Sequence, residues 1–66
     1  LLFHLTDRET VLLPLLATNK TVPEIAKQLH VSVHTVRKQV ATLREKFQAP
    51  NRAELVRKAG VHGAIS

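Results

Sequence analysis

The 66-residue chain contains no cysteine, methionine, tryptophan or tyrosine, and only two phenylalanines. Without thiols it has no disulfide framework and no thiolate metal site to reinforce a small fold, a composition that fits a reducing compartment. Without tyrosine or tryptophan there is little on which unpaired bases could stack, so an RNA or single-strand platform is disfavoured. Of the two phenylalanines, Phe3 and Phe47, the second falls on an apolar stripe. No apolar run approaches the roughly 18 residues that cross a bilayer. The longest, VLLPLL, is interrupted by Pro14. No basic segment leads into an apolar run with a small-residue cleavage site, so no signal peptide is read. There is no repeat, no low-complexity stretch and no alternating run long enough for a central strand.

Acidic residues are also scarce. Five Asp and Glu stand against ten Lys and Arg, a formal charge of +5, with a pI near 10.5. Such a balance suits a polyanionic partner, because displaced counterions drive binding to phosphate backbones. It also lies within the net charge of about 2 to 8 that merely keeps a small domain in solution. The placement of the charges has to decide between the two.

What is present is a helical pattern. The apolar fraction of 44% is that of a folded domain, although a chain this short buries only about 60% of its unfolded surface. Thr6-Asp7-Arg8-Glu9 and Thr21-Val22-Pro23-Glu24 read as capping boxes, the second with proline in the first turn. Ser32 begins a third helix with Thr35 in place of Glu, and Asn51 begins a fourth just after Pro50. The apolar stripes agree: Leu12, Leu13, Leu15 and Leu16; Val22, Ile25, Ala26 and Leu29; Val33, Val36, Val40, Leu43 and Phe47; Leu55, Val56 and Ala59. Leu5 precedes the first cap. The pattern predicts an all-α, compact four-helix domain containing a helix-turn-helix. Asn19 is expected to end the first helix and Gly60 the fourth, and Pro14 predicts a kink or early break.

Four of the acids, Asp7, Glu9, Glu24 and Glu54, fall in first turns, where they complement the helix dipole. The bases concentrate from Lys27 onward. On the third helix (about 33–47) the side opposite the apolar stripe centres on Lys38 at about 100° per residue. Around it lie His34, Thr35, Ala41 and Thr42, with Arg37 and Gln39 at the shoulders, and no acid before Glu45. A solvated helical face normally mixes acids with its bases. An acid-free face repels no phosphate and fits the DNA major groove. The short turn at His30-Val31-Ser32, between a capped helix and this one, has helix-turn-helix spacing. Helices 1 and 2 are expected to hold the reading helix at its angle, with Lys46 and Arg52 holding the backbone.

The segments LTDRE, EIAKQLHVSVHTVRKQV and LREKFQAPNRAELVRKA, spread over Leu5–Ile65, resemble the LuxR-type (NarL or GerE type) DNA-binding domain of bacterial transcription regulators. The resemblance implies sequence-specific binding of double-stranded promoter DNA by a C-terminal output domain. Its third helix would lie in the major groove, and the fourth would pair two copies on DNA. By position, Thr35 looks like the family's phosphate-contacting threonine, and Arg37, Lys38 and Ala41 occupy groove-contact positions. Ala41 has no donor to offer but can touch a thymine methyl. The chain departs from the family at Gln39, where many members have His, at Phe47 for Leu or Met, and at Asn19 for Gly. On the fourth helix, Ala53, Val56, Arg57 and Gly60 are the pairing candidates. RNA polymerase enters as a candidate second partner. Residues 1–4 are read as the remnant of a linker from a longer protein, residues 5–66 as the domain, and the location as cytoplasmic, with the nucleoid.

Two other readings share parts of this pattern. Region 4 of sigma factors combines a similar opening with a capped reading helix and recognises promoter DNA within RNA polymerase. A basic helical protein-interaction module would explain the charge without DNA. Enzyme chemistry finds no support: no nucleophile with an adjacent base, no phosphate-cradling glycine loop and no paired carboxylates can be named. His30 and His34 are spaced i, i+4, but a helix start separates them, and neither His4 nor His62 supplies an evident third metal ligand. No cofactor is expected.

Overall fold

In the computed structural model, which describes residues 4–61, the chain is helical apart from its turns. The helices are α1 (Asp7–Leu16), α2 (Val22–Leu29), α3 (Val33–Phe47) and α4 (Arg52–Val61). The domain is all-α, with no strand among the described residues. Phe3, His62 and the end of the family-like stretch at Ile65 lie outside the described residues.

Each helix starts where a side chain meets an orphan amide. In α1 the Glu9 amide donates to Thr6 Oγ1 at 3.1 Å while the Thr6 amide donates to Glu9 Oε1 at 2.8 Å. In α2 the same exchange joins Thr21 and Glu24 at 3.3 and 2.9 Å. Such reciprocal pairs close two of the four amides that a helix start leaves open. Ser32 caps α3, accepting from the Thr35 amide at 3.1 Å, and its hydroxyl also bonds that of Thr35 at 2.8 Å. Asn51 Oδ1 accepts from the Glu54 amide at 2.9 Å.

The apolar stripes meet in one core. Leu12, Leu13, Leu16, Ile25, Ala26, Val36, Leu43, Phe47, Leu55 and Ala59 are buried, and Ala49 in the α3–α4 turn joins them. Leu5, Leu15, Val22, Leu29, Val33, Val40 and Val56 are half-buried around that core. Removing a leucine-sized side chain from water contributes about 2 kcal/mol. The six largest fully buried side chains come from all four helices, so none is dispensable. α2 packs on α3, α3 on α4, and α1 on α4.

The helix ends are less regular than the starts. His30 and Gln48 adopt left-handed backbone, with φ of 58° and 53°. Past α2, the Val31 amide reaches back to the Ala26 carbonyl and the His30 amide to Lys27. Past α3, Ala49 reaches Arg44 and Gln48 reaches Glu45. Both are Schellman closures, a motif that usually employs glycine.

Two expected stops are corrected. α1 ends at Leu16, with Ala17 rather than Asn19 closing it. It ends two residues beyond Pro14, which sits inside the helix and withholds an amide from the Thr10 carbonyl. α4 runs through Gly60 to Val61. Glycine costs only about 1 kcal/mol in a helix interior, and burial of Leu55 and Ala59 holds that helix against the core.

Candidate nucleic-acid interface

α3 is the one helix with no acid in its first turn. Its amino end therefore keeps the positive dipole that Asp7, Glu9, Glu24 and Glu54 offset elsewhere. Burial of Val36, Leu43 and Phe47 fixes the roll of the helix. His34, Arg37, Lys38, Ala41 and Thr42 consequently face solvent, and Thr35 and Gln39 are half-buried beside them. The residues expected on the outward face are thus brought together on one side of the domain.

Their hydroxyls are engaged locally: Thr35 with Ser32, and Thr42 Oγ1 donating to the Lys38 carbonyl at 3.1 Å. Gln39 Oε1 is shielded from solvent and accepts no hydrogen bond among the described residues. A buried acceptor without a donor is uncommon in a settled core.

The cations divide into two sets. Lys46, at the far end of α3, donates to Glu9 Oε1 at 2.6 Å and to the His4 carbonyl at 3.1 Å. The Glu9 side chain is only 5% exposed and that of Lys46 25%. Burial pushes the Glu9 carboxyl up, but the Lys46 ammonium together with the Thr6 amide and hydroxyl outweighs it, leaving it below its ordinary value. Arg52, at the start of α4, reaches the α1–α2 loop and donates to the carbonyls of Leu16, Thr18 and Lys20 at 3.1, 3.1 and 2.7 Å. Arg44 donates to the Ala49 and Pro50 carbonyls. Lys58 donates to that of Gln48 at 2.6 Å. Arg57 pairs with Glu54 at 2.8 Å, which lowers the carboxyl and raises the guanidinium through the hydrogen bond and the charge.

The other set comprises Arg8, Lys20, Lys27, Arg37 and Lys38, whose side chains make no hydrogen bond or ion pair among the described residues. Of these, Arg37 and Lys38 stand on the outward face of α3. Lys46 and Arg52, expected to hold a nucleic-acid backbone, direct most of their donors into the fold. No local sequence signal marks that use, because their partners lie 37 and 36 residues away.

The amino end of α2 is a poor anion seat. Its Glu24 amide is taken by Thr21, Pro23 has no amide, and the Glu24 carboxylate stands beside it, held below its ordinary value by the Thr21 amide and hydroxyl. The pairing candidates Ala53, Val56, Arg57 and Gly60 follow i, i+3, i+4, i+7 spacing on α4; all are exposed except half-buried Val56. A Cβ added at Gly60 meets nothing within 4 Å, so this part of the face is open. Among the described residues no cluster of three His, Cys, Asp or Glu could hold a metal ion. No helix there is long and apolar enough to cross a membrane.

The acid that ends the acid-free stretch in the sequence lies on this same face. Glu45 is exposed seven residues after Lys38, on the line Lys38, Ala41, Thr42, Glu45. That heptad spacing is the sequence signal for it.

The sequence profile of bacterial regulatory proteins of the luxR family (GerE) matches residues 4–59. The chain is 37% identical over 59 residues to the transcriptional regulatory protein DesR of Bacillus subtilis (strain 168). The match covers 89% of this chain and 30% of DesR, so the chain spans about a third of its relative's length. No solved structure matches the chain.

Proposed function

The chain belongs to the luxR family of bacterial regulatory proteins, a DNA-binding and non-enzymatic domain of transcription regulation, and from that premise we propose how it reads a duplex. The amino half of α3 enters the major groove. Arg37 and Lys38 face base edges and phosphates, with His34 and Gln39 as further polar contacts. Ala41 lies against an apolar base edge such as a thymine methyl. The observation that carries this reading is the pair of exposed, unpartnered cations on a helix face with no acid in its first three turns.

Thr35 and Thr42 keep their local hydrogen bonds and offer hydroxyl oxygens to the duplex. Lys46 and Arg52 act from behind: the first ties α3 to the start of the domain, the second ties α4 to the α1–α2 loop. Two copies pair through Ala53, Val56, Arg57 and Gly60 so that two reading helices meet successive half-sites. In this reading the domain is the output part of a longer response regulator acting in the cytoplasm on promoter DNA, with RNA polymerase as a further partner. The regulatory role in the name of DesR supports it.

The test compares wild type and Lys38→Ala on two duplexes: one selected from a randomised pool and one of random sequence. Affinity for both should fall with salt, with a log–log slope of about −0.9 per neutralised phosphate. Lys38→Ala should weaken the selected duplex tenfold or more, about 1.4 kcal/mol, and the random one much less. Equal losses would reduce Lys38 to a phosphate contact. Absence of duplex binding, with capture of an acidic protein instead, would replace the reading by a protein-interaction module.

A further inference from the structure

The reading face is not uniformly positive along its length. Arg37 and Lys38 project from the amino half of α3 without internal partners, while in the carboxyl half the two cations flanking Glu45 are turned away. Arg44 is bent back onto the Ala49 and Pro50 carbonyls, and Lys46 is bound to Glu9 and His4. Glu45 remains, exposed, with no side-chain partner among the described residues. The outward line of α3 thus begins with bare positive charge and ends in bare negative charge.

The other acids of the chain have local employment or position. Glu9, Glu24 and Glu54 accept hydrogen bonds at their helix starts, and Asp7 lies in a first turn beside a positive dipole end. Glu45 lies in the last turn of its helix, where the dipole disfavours a carboxylate. It is not there to stabilise α3.

We propose that Glu45 is a specificity-determining residue, which keeps the carboxyl half of α3 off phosphates and so penalises seating the helix flat along the backbone. This rests on the duplex-binding reading above. Seven residues of helix put Glu45 about 10 Å from Lys38, which is one Debye length at about 0.1 M salt. At that separation the carboxylate does not cancel the attraction at Lys38, yet it still repels a phosphate that comes close to itself. Major-groove entry by the amino end lifts Glu45 away from the backbone. A helix lying along the duplex on any sequence brings the carboxylate against phosphates. The penalty therefore falls on unspecific binding and leaves the docked mode nearly untouched.

The experiment measures equilibrium binding of wild type, Glu45→Gln and Glu45→Lys to the selected and random duplexes at 0.05 to 0.2 M salt. Asp7→Asn, on α1, serves as a control for net charge. Glu45→Gln should tighten binding to the random duplex roughly threefold to tenfold and change the selected duplex less than twofold. Glu45→Lys should add about one phosphate contact, steepening the random-duplex slope by about 0.9. Asp7→Asn should leave both affinities within twofold. Equal tightening on both duplexes, or by Asp7→Asn as well, would make Glu45 an ordinary contribution to net charge and overturn the proposal. So would no change at all while wild type binds. Failure of wild type to bind either duplex would instead remove the reading on which it rests.

Discussion

Glu9 and Lys46 join the first turn of α1 to the last turn of α3 through a 2.6 Å ion pair that is largely out of water. Removing one member of a buried pair strands the other without compensation. Because Lys46 keeps a quarter of its exposure, Lys46→Met should cost about 2 kcal/mol rather than the full figure for a sealed pair. The pH dependence has a definite sign. Glu9 holds its proton less tightly when folded than when unfolded, so its contribution is fully present above the ordinary carboxylate range near about 4.3. It is lost as pH falls through the lower, folded value. Urea titrations from pH 7 down to pH 3 should show wild-type stability declining below about pH 4.5, with a smaller decline in Lys46→Met. The sequence exposed half of this arrangement. Thr6 and Glu9 were legible as a cap because the partners are three residues apart, whereas the Lys46 contact depends on how α1 and α3 are brought together.

At the scale of the helices, the four starts and the stripes could be read directly, since caps and apolar periodicity are local properties of the chain. The ends could not. α1 stops before Asn19 where the Leu16, Thr18 and Lys20 carbonyls turn toward one guanidinium from α4. α3 stops at Gln48, a residue with no intrinsic liking for left-handed backbone, where Ala49 is buried, Arg44 gathers the next two carbonyls and Lys58 takes that of Gln48. Tertiary partners, not residue type, set these boundaries. The left-handed conformation at Gln48 costs about 1 kcal/mol for a residue with a Cβ. Gln48→Gly should therefore raise the urea midpoint by roughly 1 kcal/mol of stability, because only the exposed side chain is lost and the carbonyl that Lys58 binds remains. A destabilised variant would mean that the freedom gained by the unfolded chain outweighs the strain removed.

For the whole molecule, the formal charge of +5 sets the long-range attraction to a polyanion, but it does not say which cations are free to touch one. Charge counting along the sequence pointed to everything after Lys27, but Arg44, Lys46, Arg52, Arg57 and Lys58 are all held by carbonyls or carboxylates. The outward position of Arg37 and Lys38 was legible from the stripe behind them. The withdrawal of the later cations was not, since it depends on contacts between helices. If two copies pair through α4, Arg57→Glu breaks the pair with Glu54 and leaves two uncompensated carboxylates on each side of the two-fold axis. It should convert a complex of two domains per duplex into one, with affinity falling about tenfold, as read by sedimentation of the complex. Intact pairing with weaker binding to every sequence would make Arg57 a phosphate contact instead. The division of labour among the cations also bears on how such a domain diversifies. His34, Arg37, Lys38 and Ala41 make no side-chain hydrogen bond among the described residues and stand outside the core. A duplicated gene can drift at these positions toward a new regulon without first acquiring spare stability.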